Sequence, residues 1–541
     1  TAVGYKSFYT NTTGNYNVAI GDLALSGNIG GSRQVAVGHE AMRMFTQAGD
    51  VQNTAVGQKA MYNIQTGSHN TAVGNEAMFG ATGDDNDYNT AVGSQALYST
   101  DAADNNVAVG YKAGYAITEG SNNILVGKQA GDSITTGQSN VIIGMDAGQT
   151  FDGESYMTAV GYEAMKDAVG DNYSVAVGMR AMADADSTGG QEIAIGYQAG
   201  RYFGAGTSDS VVIGGSAGKG SSTTAFGGTS VVAIGGGAIQ ELVSGSGVVA
   251  LGRNALNETV SGNQSVAIGS AAGRYALNSV EDIWIGSNAG TYAGTGASGE
   301  SRKNIGIGVQ AGRKLGSGSS VASTGNVAIG NDAMGEVAIG DYNVAIGWGA
   351  ASGATDYGDH SVSIGYLAGK INTGDSNVMI GSQAARDTTG GNNVIIGEGA
   401  ATSATTMDAS TIIGRQAAGG SVPTGDYNTI LGYQGGYALN GAVEGNTFLG
   451  HRAGYGATSG GFNTFVGYAA GQNVTTGAGN VIIGKNAGPS STNTDSDKLY
   501  IHNAAGTPLI AGDFAAGTVT INGTLSATAK SFNIEHPLYK D

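Results

Sequence analysis

The 541-residue chain has no cysteine, which excludes disulfides and thiolate-held metals. It has only 4 prolines, so nearly every residue keeps a backbone N–H to give to a ladder. Charged residues make up 12%, with 24 Lys and Arg against 42 Asp and Glu, a net charge of −18. That balance turns the chain away from nucleic-acid backbones and anionic membranes. A hydrophobic fraction of 40% nevertheless separates it from disordered acidic chains. No apolar run approaches the roughly 20 residues of a membrane-spanning helix, so no membrane insertion is expected. No window keeps a 3.6-residue period, and frequent glycine costs a helix about 1 kcal/mol per residue against alanine. Collagen is excluded because glycine does not fall at every third position. The chain shows no secretory signal and starts in mid-phrase at Thr1, the pattern expected of an internal piece of a longer polypeptide.

What is abundant is glycine, 97 residues of it, and it falls in a rhythm. The stretch NTAVGQKAMYNIQTGSHNTAVG, Asn53 to Gly74, gives one phrase twice. The phrase, Asn-Thr/Val-Ala-Val/Ile-Gly in its commonest form, returns from Gly4 to Gly484 in 28 copies. Of the 27 intervals, 15 are 17 residues and nine are 16, 18 or 19; the others, ending at Gly235, Gly308 and Gly330, are 21 or 22. Such a period marks a solenoid rather than a series of globular domains. Three apolar or β-branched residues between Asn and Gly make a short strand, and glycine-rich turns such as TTG close each unit. The expected fold is all-β: a parallel β-roll or β-helix solenoid of about 28 rungs of roughly 17 residues. At the ~4.8 Å strand spacing such a stack is on the order of 130 Å long. The rhythm ends after Gly484, and alternating runs such as KLYIHN and TVTINGTLSA follow. We therefore expect a repetitive shaft over 1–488 and a non-repetitive β module over 489–541, leading to a missing or cleaved C-terminal region.

Within the phrase the middle residue is usually alanine. Its small size suggests close packing against another chain, making Ala55, Ala72, Ala91 and Ala108 candidate contacts of an oligomer. The next residue is larger (Val56, Ile143, Leu431) and is expected to fill an ordinary core. Asparagine precedes the strand at Asn53, Asn70, Asn89, Asn106, Asn123 and Asn140, and stacked rungs would align these amides in a ladder. The long units between Gly286 and Gly330 gather Arg302, Lys303, Arg313 and Lys314. Insertions in solenoids map to loops, so these four form a candidate lateral binding loop for an anionic surface glycan. The acidic run GDDNDYN, Gly83 to Asn89, offers hard oxygens to Ca²⁺, but a solvated turn is the simpler reading. The 25 tyrosines are expected to pack on neighbouring rungs more than on sugars.

Enzyme signatures dissolve in the repeat. GGSAG around Ser216 matches a nucleophile elbow but occupies the ordinary corner of a unit. GTGASG, Gly294 to Gly299, opens no helix, and no Gly-Lys pair is followed by Ser or Thr. The six histidines (His39, His69, His360, His451, His502, His536) lack zinc-ligand spacing. No catalysis and no cofactor are expected.

Repeated NVAIG and NTAVG phrases resemble the head repeats of trimeric autotransporter adhesins and, more closely, the repetitive shafts of phage tail fibres. The ending KLYIHNAAGTPLIAGDF to NIEHPL is similar to the segment that precedes a C-terminal chaperone domain in such fibres. The resemblance implies a homotrimer of left-handed β-roll rungs, placed on the virion as a tail fibre. Its implied partners are copies of itself, other tail or baseplate proteins, and a host cell-surface glycan or protein. Adhesin heads have shorter units, and the coiled-coil stalk and membrane anchor that an adhesin leads one to expect are not read in this stretch of sequence. A bacterial trimeric cell-surface adhesin or filament subunit is therefore the second expectation. An ice- or mineral-binding solenoid is a third, disfavoured because a regular outward row of threonine is not evident.

Overall fold

A three-residue strand cannot stand alone and must borrow hydrogen bonds from the next copy of itself. That is how this chain folds. The computed structural model describes residues 1–81, 85–170, 172–186, 190–295, 301–317, 323–524 and 526. The fold is all-β, a parallel β-solenoid, and no helix occurs among the described residues. Two compact units, Thr1–Ser323 and Thr324–Asp541, are each built from the same turn, 18 times in the first and 10 times in the second.

Each phrase forms a strand paired in parallel with the same phrase one turn away. Thr54–Val56 pairs with Thr71–Val73, placing Thr54 on Thr71, Ala55 on Ala72 and Val56 on Val73. In the second unit Val394–Ile396 pairs with Thr411–Ile413 in the same register. That unit ends differently: Lys498–Ile501 continues the parallel stack on Val481–Ile483. The chain then reverses twice, so that Ile510–Asp513 and Thr518–Ile521 add antiparallel strands. The reversal covers the last parallel edge, and Lys498 Nζ, 2.6 Å from Asp513 Oδ2, pins the first hairpin.

The glycine ending each phrase turns the corner. Gly57 has φ +141°, and a Cβ there would overlap the carbonyl of Gly74 in the next turn, so both conformation and space demand glycine. Beyond it the backbone alternates hand. Lys59 and Met61 have φ +55° and +54°, and Glu76 and Met78 have +54° and +47°. The N–H groups of these left-handed residues reach the neighbouring turns: Lys59 N–H donates back to His39 O, and Met61 N–H forward to Ala77 O, both at 2.9 Å. The left-handed conformation costs a side-chain-bearing residue roughly 1–2 kcal/mol. It persists here because each such residue gains a hydrogen bond that would otherwise be lost inside the stack.

The middle residue of the strand points into the coil. Ala55, Ala72, Ala91 and Ala108 are 0% exposed within their own chain, so they do not face another molecule. The larger last residue lies outside instead: Val56 is 36% exposed and Ile143 and Leu431 are 38%. Strand alternation places the first and third residues on one face and the middle one on the other, and the narrow interior takes the middle one. Alanine is small there because of a second side chain of the same turn, six residues on. Ala55, Ala72 and Ala91 share their turns with the buried Met61, Met78 and Leu97. Where the middle residue is large the partner is glycine or alanine, alanine for Met379, Ile395 and Ile412 (Ala385, Ala401, Ala418). Leu125 goes with Gly131, Trp284 with Gly290, Phe448 with Gly454 and Phe465 with Gly471, and a Cβ on any of these glycines would meet that side chain. The interior also takes further residues such as Ile64, Ile117 and Ile134, and where both members are small, as at Ala108 and Gly114, Leu97, Ile117 and Leu125 close the space, as close packing demands.

Candidate interaction surface

The asparagine column is buried and bonds chiefly to backbone. Asn106 Oδ1 accepts the N–H of Asn123 at 2.9 Å, while its Nδ2 donates to Gly120 O at 2.9 Å. Asn53 bonds Asn70 N–H and Gly67 O, both at 2.8 Å. Asn70 and Asn89 accept in the same way from Asn89 and Asn106 N–H, and Asn123 accepts from Asn140 N–H. Asn140 carries the pattern on to Met157 N–H and Glu154 O. Amide-to-amide contacts are the minor part, as from Asn123 Nδ2 to Asn106 Oδ1 at 3.1 Å. One side chain thus satisfies a strand donor on one side and a corner acceptor on the other, a task needing both ends of an amide.

Outside the coil, the first and third strand residues form two columns. The first holds Thr, Val or Ile (Thr54, Thr71, Thr90, Val107, Ile124) and the third Val, Ile or Leu (Val56, Val73, Val92, Val109, Val126). Val73, Val92 and Val109 in the first unit and Ile346, Leu431 and Ile483 in the second are all between 36% and 39% exposed. In the second unit the columns run on over the antiparallel strands through Ile483, Ile501, Ile510 and Ile521, which are register partners. No charged residue enters either column between Val18 and Ile483. The face is a parallel sheet with its outer side uncovered, whereas such sheets are ordinarily covered on both.

Some aromatic residues stack along the coil, while others such as Tyr5, Tyr16 and Tyr427 stand exposed. Tyr62, Phe79, Tyr98 and Tyr115 lie on successive turns with ring centroids 5.2, 5.0 and 4.9 Å apart and planes within 10° of parallel. Cations close both ends, Arg43 at 5.6 Å from the Tyr62 ring and Lys112 at 4.8 Å from that of Tyr115, a favourable placement over ring faces. Burial and the nearby Glu76 push the Tyr98 hydroxyl above its ordinary range. Histidines belong to similar stacks: His69 on Tyr88, His360 on Tyr342, and His451 between Tyr433 and Tyr468. A stacked ring shows its edge outward, so these columns offer few faces to a sugar.

The four basic residues of the long units do not share an excursion from the stack. Ser301–Arg302 is a strand, with Arg302 paired to Val280, and Lys303 Nζ lies 3.9 Å from Glu281. The carbonyl of Arg313 accepts from Tyr292 N–H at 2.8 Å, which sets Arg313 and Lys314 in the stacked corner. A 22-residue interval still spends its end residues on the regular turn, and residues 296–300 and 318–322 lie outside the described residues. The proposed Ca²⁺ run falls partly outside them too, at 83–84, and its Asp87 carboxylate accepts from Ser68 N–H and Oγ at 2.6 and 2.8 Å. Among the described residues no group of three His, Asp or Glu is placed to hold a metal. Ser216 stands in the left-handed corner position with φ +59°, its N–H on Tyr197 O at 2.8 Å. A groove of about 420 Å³ between Lys219, Thr224, Glu241 and Val260 sits at the 21-residue interval. No family model matches the chain, and no curated protein does.

Proposed function

We propose that the chain is the shaft of a homotrimeric fibre of the phage-tail type, a mechanical element without catalysis that holds a receptor-binding part against a bacterial surface. The observation that carries this reading is the outward sheet face, two unbroken aliphatic and threonine columns in each unit. Soluble monomers rarely expose contiguous apolar patches beyond a few hundred Å². A partner that covers such columns turn after turn must repeat its own apolar groups at the same ~4.8 Å rise, and another copy of this chain does so. Cyclic symmetry closes such a contact without leaving an open face; three chains is the number the fibre resemblance implies. The interface therefore moves from the alanines to Val56, Val73, Val92 and Val109.

Mass in solution tests the assembly: a trimer is expected, and a monomeric wild-type chain sinks the proposal. Val73→Lys, Val92→Lys and Val109→Lys together should yield monomers whose circular dichroism is unchanged. Labelling with antibody separates tail fibre from bacterial surface adhesin: virion tails are expected to be decorated, and labelling of uninfected cells instead would favour the adhesin.

A further inference from the structure

Asp282 stands four residues before Gly286, in the position that asparagine fills in the regular ladder, and it is fully buried. Its Oδ1 accepts from Asn304 N–H at 2.9 Å and Asn304 Nδ2 at 3.3 Å, and its Oδ2 from Ser279 Oγ at 2.8 Å. From the turn before, Ser265 Oγ accepts Asp282 N–H at 3.3 Å and lies 3.1 Å from Ser279 Oγ. From the turn after come Ser301 and Asn304, themselves bonded at 3.1 Å. All of these are neutral. The charged neighbours in sequence, Glu281, Arg302 and Lys303, are exposed, and Glu281 and Lys303 face each other at 3.9 Å. Among the described residues no cation faces the carboxyl, and an unpaired buried charge is among the costliest things a fold can hold.

We propose that the turn around Asp282 is a proton-linked element of the first unit, held closed while this carboxyl carries a proton and loosened when the proton leaves. Burial pushes the group up to about 6, against hydrogen bonds from Asn304, Ser279 and Ser301 that pull it down. The unfolded value is about 3.9, so the folded value is the higher one. The stabilisation is then complete below about pH 4 and lost as pH rises through about 6. A difference of about two units corresponds to a roughly 50-fold rise in the opening equilibrium between about pH 4 and pH 7. A fibre carrying this element would be tightest in acid and slackest locally at neutral pH, between turns that do not respond.

Hydrogen exchange read by mass spectrometry, corrected for the intrinsic rate, tests this on peptides covering residues 279–286 and 301–308. In the wild-type chain their opening should rise roughly 50-fold from pH 4 to pH 7, while peptides around Asn123 stay flat. Asp282→Asn should abolish the rise. Equal pH dependence at Asp282 and Asn123 in the wild-type chain overturns the proposal, whether or not the variant folds. Equal slopes in wild type and variant overturn it as well.

Discussion

Two stretches of the first unit solve one problem in different ways. From Asn53 to Asn140 every turn places asparagine before its strand, and each amide ties one strand N–H to one corner carbonyl. From Met157 to Asp282 the same position reads Met, Ser, Glu, Ser, Val, Val, Ser and Asp. From Gly228 onward a second parallel sheet appears where the first stretch has corners and an isolated bridge from Thr66 to Asp85. Gly228–Thr229, Ser244–Ser246, Ser261–Asn263, Asn278–Val280 and Ser301–Arg302 pair in sequence. It forms around Val231 and Val248, which have no polar atom to lend. Buried backbone groups must be paired somewhere, and the comparison shows two interchangeable ways of doing so, side chain to backbone or backbone to backbone.

The comparison breaks most sharply at the amide. Asn106→Ala orphans Asn123 N–H and Gly120 O inside the stack, and each unpaired buried group costs about 1–3 kcal/mol. Ser265→Ala orphans one group, Asp282 N–H, beside a sheet that pairs the corner backbone itself. Denaturant unfolding should show Asn106→Ala destabilising by at least twice as much as Ser265→Ala. Equal losses would mean that the second sheet replaces nothing.

The interior should behave alike in both stretches, since it is filled by the same rule. Ala91→Leu overpacks against Leu97 of its own turn and should cost about 1–3 kcal/mol. Leu97→Gly opens a cavity and costs about as much or more. Joined, the pair recreates the Leu125 and Gly131 arrangement already present two turns on. A double-mutant cycle should therefore give a favourable coupling of about 1 kcal/mol or more, and strict additivity would refute the account in which these two positions trade volume.

That rule also marks what the sequence could tell and what it could not. The period, the strand and the asparagine ladder were legible because glycine, β-branching and Asn recur in step. The direction of the strand faces was not, because all three residues of Thr-Ala-Val are acceptable on either side of a thin sheet. The missed signal lay six residues downstream: Ala91 with Leu97, Leu125 with Gly131 and Phe448 with Gly454 trade volume, as residues sharing one cavity must. The second sheet was hidden for a different reason. Its strands, such as Ser-Gly-Ser at 244–246, have turn composition, and backbone pairing overrides their weak propensity. Arg302 and Lys303 were misplaced because a long interval does not say which of its residues leave the stack.

The smallest expected effect concerns the ring stack of Tyr62, Phe79, Tyr98 and Tyr115, which lies wholly in the asparagine stretch. Offset-stacked pairs add about 0.5–1.5 kcal/mol beyond their buried area, but these rings are half-exposed, so the lower end applies. Tyr98→Ala also leaves Phe79 and Tyr115 each with one uncovered face and removes the bridge between the two capping cations. A cycle over Phe79→Ala and Tyr98→Ala should give a coupling of about 0.5 kcal/mol in the unfolding free energy. The isolated pair Tyr275 and Tyr292, with centroids 5.2 Å apart and Arg274 at 4.8 Å from one ring, provides the contrast in the second-sheet stretch. If the rings serve only as local packing, the two cycles should agree. If they help hold turns together where no second sheet exists, the coupling at Phe79 and Tyr98 should exceed that at Tyr275 and Tyr292. A larger coupling at Tyr275 and Tyr292 would show that aromatic stacking does not compensate for the missing sheet.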